Sequence, residues 1–320
     1  MRFALMLEAQ QGLSYVEQSR IALLAEEVGF EALFRSDHYA SFPGPAGMPT
    51  TDALTVIAGL ARDTSRIRLG ALVSPVTFRQ PGHFAKTAAT IQEMSGGRLE
   101  VGLGAGWNED EHRQYGFPFP SIDVRAEMLE EQLEIVHGLW EEPAGWSFHG
   151  RHYTVDGARF APRPADIGGR PPVIVGGAGR PRSIRIAARW ADEFNVTSSD
   201  ADDVGAKFRL LDDACLAIGR DPGSITRSAM VGVLIAADAA TLRGRADALL
   251  ARIGQDGSRE EADAWLDARR PKWIMGTFDE ARAAVRRFAE KGVERIMLQD
   301  LLPWDLDMIR EMGRELVGRV

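Results

Sequence analysis

Cysteine is nearly absent: among 320 residues only Cys215 carries a thiol. No internal disulfide can form, and a reducing compartment is the expectation. Cys215 sits in the helical pattern LDDACLAIG and reads as a small buried apolar residue rather than a nucleophile. Long hydrophobic runs are absent too. Nothing approaches the ~20 apolar residues of a membrane-spanning helix, and Met1-Arg2 leads straight into FALML without a signal peptide. The expectation is a cytoplasmic protein with no membrane partner. Basic residues are outnumbered, 38 against 46 acidic ones, for a formal net charge of -8. That balance argues against a nucleic-acid partner. The signatures HExxH, CxxC, GxSxG and GxxxxGK[ST] are all missing. His149 and His152 lie three apart, but no carboxylate completes a zinc set, so no metal is expected.

What is present is a rhythm of short apolar runs alternating with longer helical patterns, the mark of βαβ units. The strand candidates are Phe3–Leu7, Ala32–Arg35, Ile67–Val73, Leu99–Leu103, Val173–Val175, Glu193–Val196, Ser228–Ile235 and Arg295–Leu298. Ser14, with Glu17 three residues on, caps a helix that stops at Gly29. Trp107–Asp123 reads as a long polar loop, and 239–272 as helical with a break at GQDGSREE. Residues 143–170 break the rhythm with repeated Gly and Pro, around a short hairpin at FHGRHYTVDG. Eight strands, and a first loop (EAQQGLS) without a Gly-rich nucleotide turn, favour a closed barrel over an open sheet. The expected fold is a single (β/α)8 TIM barrel over 1–320, with an insertion at about 143–170 after the fourth βα unit.

In such a barrel the residues just past the strand ends share one mouth. The second strand ends in Ser36-Asp37-His38-Tyr39, where an Asp-His pair is able to orient a ring or move a proton. A capping Asp and a structural His are the plainer alternative. The third strand ends in ALVSP. Small Ala71 and then Leu72 allow a flat ligand near the backbone, and Ser74-Pro75 ends the ladder. After the fourth strand, Gly102, Gly104 and Gly106 alternate, leaving a face open to a ligand or to barrel packing. Trp107 offers a flat wall there and Asn108 a polar contact. Glu109, Asp110 and Glu111 are carboxylates able to bind a metal, but read rather as a solvated loop edge or helix start. After the fifth strand, Gly176, Gly177 and Gly179, with Ala178 among them, precede a helix start at Pro181. That is an anion-site pattern or a tight turn, with Arg180, Arg182 and Arg185 adding charge. Asn195 and Thr197 carry only a weak functional reading.

Taken in order, AEEVGFEALFRSDHY, RIRLGALVSPVTFRQP, SGGRLEVGLGAGWNEDEHRQYGFPF, the FHGRHYTV…PRP segment and PPVIVGGAGRPRS with ARWADEFN resemble the luciferase-like monooxygenase superfamily across nearly the whole chain. The resemblance implies a (β/α)8 barrel holding FMN or the deazaflavin coenzyme F420 at its mouth. The Asp37-His38 pair looks closer to the F420-dependent oxidoreductases. By that likeness His38 and Asp37 are the catalytic candidates, with His38 beside the ring and the substrate. Gly177–Gly179, with Gly176 and Ala178, would bind the cofactor phosphate; Ala71, Leu72, Ser74, Gly106, Trp107 and Asn108 would line its path. A non-proline cis peptide under the ring would fall at Ala71–Leu72. Where F420-dependent sugar-phosphate dehydrogenases carry a glutamate this chain has Trp107, and Glu8 is the candidate substitute. The implied activity is hydride transfer between F420 and a small organic substrate, in a homodimer. The alternatives are an FMNH2-dependent monooxygenase using O2 and a non-catalytic flavin-binding protein. Substrate contacts are expected from Tyr39–Thr50, 143–170 and Gln255–Pro271.

Overall fold

Six residues, RFALML, open the chain as β1 (Arg2–Leu7), and their alternation defines two cores. Ala4 and Met6 point to the barrel interior, with Ala32, Phe34, Leu72, Ile174 and Met297. Phe3, Leu5 and Leu7 point outward, into the layer between strands and helices. Burial on both faces is why such strands read as continuous apolar runs.

The computed structural model describes residues 1–320 apart from Ser198 and Asp256; Asp256 belongs to the expected Gln255–Pro271 substrate segment, so that part of the expectation lies outside the described residues. The strands that follow are β2 (Ala32–Arg35), β3 (Arg68–Pro75), β4 (Leu99–Gly104), the hairpin β5 (Trp146–His149) and β6 (Thr154–Ala158), β7 (Val173–Gly177), β8 (Glu193–Thr197), β9 (Thr226–Ala236), β10 (Ile274–Thr277) and β11 (Arg295–Asp300). The helices are α1 (Tyr15–Glu27), α2 (Ala53–Asp63), α3 (Pro81–Ser95), α4 (Glu109–Tyr115), α5 (Ile122–Glu141), α6 (Pro181–Trp190), α7 (Ala201–Ala217), α8 (Ala239–Arg252), α9 (Arg259–Asp267), α10 (Phe278–Glu290) and α11 (Leu306–Glu315).

Eight strands close a barrel in the order β11-β1-β2-β3-β4-β7-β8-β9, with β9 returning to β11. Every one of these pairings is parallel. The fold is therefore a (β/α)8 TIM barrel, and all eight strand ends open at one rim. The β5–β6 hairpin pairs only with itself, between α5 and β7. Ser14 caps α1 through the expected reciprocal bonds with Glu17. Two elements depart from the sequence expectation. IMGT forms β10, which pairs with the rim-side end of β9 (Val233–Ala236), and within the expected Trp107–Asp123 loop Glu109–Tyr115, left open between loop edge and helix start, coils into α4 before Gly116 stops it in the left-handed region.

The opposite end of the barrel is closed by charge. Arg295 is buried, with Nη1 2.7 Å from Glu100 and 3.0 Å from Glu193. Burial pushes both carboxyls toward protonation. At Glu100 the cations Arg295 and Arg68 outweigh it and the group is held low. Glu193 has Arg295 alone and faces the Glu100 charge, so it is held high. Among the described residues, no helix is long and apolar enough to cross a membrane.

Candidate active site

At the end of β2 the chain must leave a crowded rim, and a buried arginine holds it there. Arg35 donates to Ser36 O at 3.0 Å, Gln18 Oε1 at 3.1 Å and Thr51 O at 2.9 Å. Burial lowers this guanidinium to about 10. Asp37 follows and accepts from Ser74 Oγ at 2.7 Å and from Arg79 Nη1 at 2.5 Å. Arg79 reaches on to Asp52 at 2.6 Å, and Tyr39 donates its hydroxyl to the same carboxylate at 2.9 Å. Burial alone would make the Arg79 guanidinium easier to deprotonate, but Asp37 and Asp52 more than reverse that. Burial, then the surrounding carboxylates, raise the Tyr39 phenol. This network ties the ends of β2 and β3 to α2.

His38 takes a different partner from the one its sequence neighbour suggests. Its Nδ1 lies 2.7 Å from Glu111 Oε1, on α4. Glu111 is 1% exposed, and its other oxygen accepts the Tyr39 N–H at 3.0 Å. The carboxylate orienting His38 is thus Glu111 and not the neighbouring Asp37, whose oxygens are both engaged by Arg79 and Ser74. Glu111 lies at the helix start that the sequence allowed, and it is buried rather than on a solvated edge. The Phe42 ring packs edge-on against His38 at 4.5 Å and the Trp107 ring at 5.9 Å. Trp107 itself stays 66% exposed.

The turn that carries Trp107 is locked from beneath. Gly106 adopts φ +77°, and a Cβ there would meet Pro75 at 3.2 Å. His112 lies 2.6 Å from the Asn108 carbonyl through Nδ1 and 2.6 Å from Thr77 Oγ1 through Nε2. A carbonyl only accepts, so Nδ1 carries the hydrogen and, in the neutral ring, Nε2 accepts from Thr77. Neither Thr77 nor His112 stood out in the sequence.

On β3 the non-proline cis bond lies at Leu72–Val73, not at Ala71–Leu72. Ala71 is still in regular register with Arg35 and Val101. The irregularity begins after it: three steps from Ala71 to Ser74 face two from Val101 to Leu103. Ala71 packs into the outer core and Leu72 into the inner one, so Ala71 drops from the expected ligand lining. Ser74 is buried and spent on Asp37. Val73 fills the hollow left by the glycines. A Cβ at Gly102, Gly104 or Gly176 would lie 3.0, 2.6 or 2.7 Å from its methyls. Those glycines make room for Val73.

The loop after β7 stays open. A Cβ on Gly177 would meet only Ser183, at 3.9 Å, and Ala178 is exposed. Gly179 turns at φ +70° into α6, with Pro181 in its first turn. The first N–H groups of that helix have no partner within it. The stem of Lys207 packs on Gly179, and its ammonium donates to Ser199 at 2.7 Å and Asp203 at 2.6 Å. Asn195 is buried inside the barrel and donates to Ser228 at 2.8 Å. Glu8, the other acid–base candidate, accepts from Gln10 at 2.8 Å and Gln299 at 2.5 Å and is buried. His149 and His152 bind separate carboxylates, Asp156 and Glu127. Two surface clefts, against α1 and α11 and among α8, α9 and β10, contain none of these groups.

The sequence profile described as luciferase-like monooxygenase matches residues 1–302. A Mycobacterium tuberculosis protein described as uncharacterized is 32% identical over 218 residues, covering 62% of this chain and 74% of that one. An F420-dependent glucose-6-phosphate dehydrogenase of Nakamurella multipartita is 33% identical over 186 residues, 58% of this chain and 53% of that protein. The match therefore spans about half the length of that dehydrogenase. A solved F420-dependent secondary alcohol dehydrogenase superposes with a TM-score of 0.82, at 20% identity, over 99% of this chain and 98% of the other. At that identity the likeness establishes the fold.

Proposed function

This chain belongs to the luciferase-like monooxygenase family, and on that footing we propose that it is an F420-dependent oxidoreductase moving a hydride between the deazaflavin coenzyme and a small organic substrate. One observation carries the proposal: a carboxylate-held histidine and an open, glycine-built turn lie at the same rim of a closed parallel barrel.

The residues present fit such a coenzyme. Gly177 leaves a cradle that a side chain would fill, and Gly179 turns the backbone toward the α6 N-terminus. Together they suit a phosphate, with Ala178 N–H and Gly179 N–H as donors. Leu72, Gly106, Trp107 and Asn108 would line the way from there to His38. When bound, F420 supplies two-electron hydride chemistry and reacts poorly with O2. The protein's part is to orient substrate against the edge formed by the packed Trp107 and Phe42 rings, exclude water, and manage a proton at His38. Asp37, Arg79 and Asp52 keep the strand ends in place beneath.

The family's name gives the second reading its support: reduced FMN with O2 on the same scaffold. Titration of the purified apoprotein with F420 and FMN separately tests the order. Micromolar binding of F420, tighter than FMN, is expected. Binding of FMN with none of F420 would reverse the proposal. Binding without turnover on a panel of enones, quinones and nitroaromatics would point to a cofactor-binding protein.

A further inference from the structure

We propose that Glu111 is the positioning residue of His38: it fixes the ring so that Nε2 is the one atom able to exchange a proton with a bound substrate. The inference rests on the reading of this mouth as a hydride-transfer site. The two electrons travel with the hydride between substrate and coenzyme. The balancing proton moves at Nε2, taken from a substrate hydroxyl in oxidation and returned to a carbonyl oxygen in reduction.

Four observations carry it. First, a carboxylate only accepts, so at 2.7 Å the shared hydrogen sits on Nδ1. A neutral His38 then has a bare Nε2, and a charged one is stabilised by the anion behind it. Second, Glu111 cannot swing away. It is 1% exposed, and the Tyr39 backbone N–H holds its other oxygen at 3.0 Å. Tyr39 is in turn anchored through Asp52 and Arg79. Third, Phe42 and Trp107 stand nearly perpendicular to the imidazole, both at 79°, and resist a ring flip. Fourth, the His38 side chain keeps 13% of its surface exposed while its partner keeps almost none. The arrangement has the logic of a buried carboxylate setting the tautomer of a histidine base.

Nothing in the sequence announces the pair, because 73 positions separate its members. The α4 turn delivers Glu111 inward while its neighbours Glu109 and Asp110 face solvent.

The test is Glu111→Gln. A glutamine fits the same space, accepts the Tyr39 N–H through its oxygen and donates through its amide to Nδ1. That reverses the tautomer and leaves the hydrogen of the neutral ring on Nε2. Nitrogen NMR on histidine-labelled apoprotein reads this directly, with the His38 signals assigned by their loss in His38→Ala. The native protein is expected to show Nδ1 protonated, and E111Q to show Nε2 protonated. In turnover, kcat should fall about 10- to 100-fold, part of what a general acid–base group contributes, with KM and the F420 dissociation constant within about twofold. Glu111→Asp keeps a carboxylate and should keep the native tautomer, and it carries the test if E111Q does not fold. An unchanged tautomer in E111Q, a lost one in Glu111→Asp, or a reversed tautomer with kcat unchanged would each overturn the proposal. Failure of the native protein to bind F420 strikes the functional reading instead, since the tautomer is read without coenzyme.

Discussion

The two ends of the barrel both bury a guanidinium between two carboxylates. At the floor Arg295 lies between Glu100 and Glu193; at the mouth Arg79 lies between Asp37 and Asp52. The floor cluster ends in itself: its charges face one another and seal the cylinder. At the mouth the cluster supports a neighbour, Tyr39, whose backbone helps to pin Glu111 and through it His38. Burial and charge are common to both. The difference is a side chain with one end held and the other left free. Perturbed ionisation alone would have flagged the floor as strongly as the mouth.

Substitutions at the two ends should separate this contrast. The largest effect is expected from His38→Ala, with turnover falling about 10²- to 10⁴-fold, the contribution of a positioned acid–base group. Its urea unfolding free energy should move by less than about 1 kcal/mol. Comparable losses in turnover and stability would make the mouth a second floor. Arg295→Met should do the reverse. It leaves Glu193 buried without a cation and Glu100 with Arg68 alone, a loss of about 3–5 kcal/mol in unfolding free energy, while F420 affinity per folded molecule stays within about twofold. A cost below about 1 kcal/mol would show that the seal is not held by charge. A smaller, pH-dependent effect is expected at Asp300, behind the rim. It is buried, accepts the Leu302 N–H at 2.8 Å, and burial pushes its carboxyl up to about 7. The folded state therefore keeps a proton that the unfolded chain releases near its ordinary value of 3.8. Stability present below that value is lost as pH rises through about 7, on the order of 2–4 kcal/mol. Asp300→Asn never ionises, so its urea midpoint should fall less between pH 5 and pH 8 than that of the native protein. Equal falls would place the proton elsewhere.

The eight barrel strands were legible because each carries a short, largely apolar run and helical patterns separate them. Ser14 and Glu17 announced the start of α1 for the same local reason. β10 was hidden because IMGT is only four residues long and runs straight into a capping box, Thr277 with Glu280. α4 was left between loop edge and helix start because seven residues are too few for a periodic signal. At the mouth, His38 and the Gly177–Gly179 turn could be singled out by residue type and strand-end position. Their partners could not. Glu111, Arg79 and Lys207 are brought in by tertiary packing, and nothing in their spacing marks them. The glycines of β4 were visible as missing side chains, but what occupies the gap is decided across the sheet by Val73.

That valine acts as a cast whose mould is cut from two neighbouring strands. Positions 73, 102, 104 and 176 therefore form one unit of shape: an alanine at 104 or 176 has to displace the valine, and one at 102 meets the Ala71 carbonyl before it meets the valine. A lineage reshaping this scaffold for a new substrate meets resistance at those four places together. The exposed Trp107 indole meets little, so chemical diversity should accumulate along the aromatic edge while the wall below keeps its form.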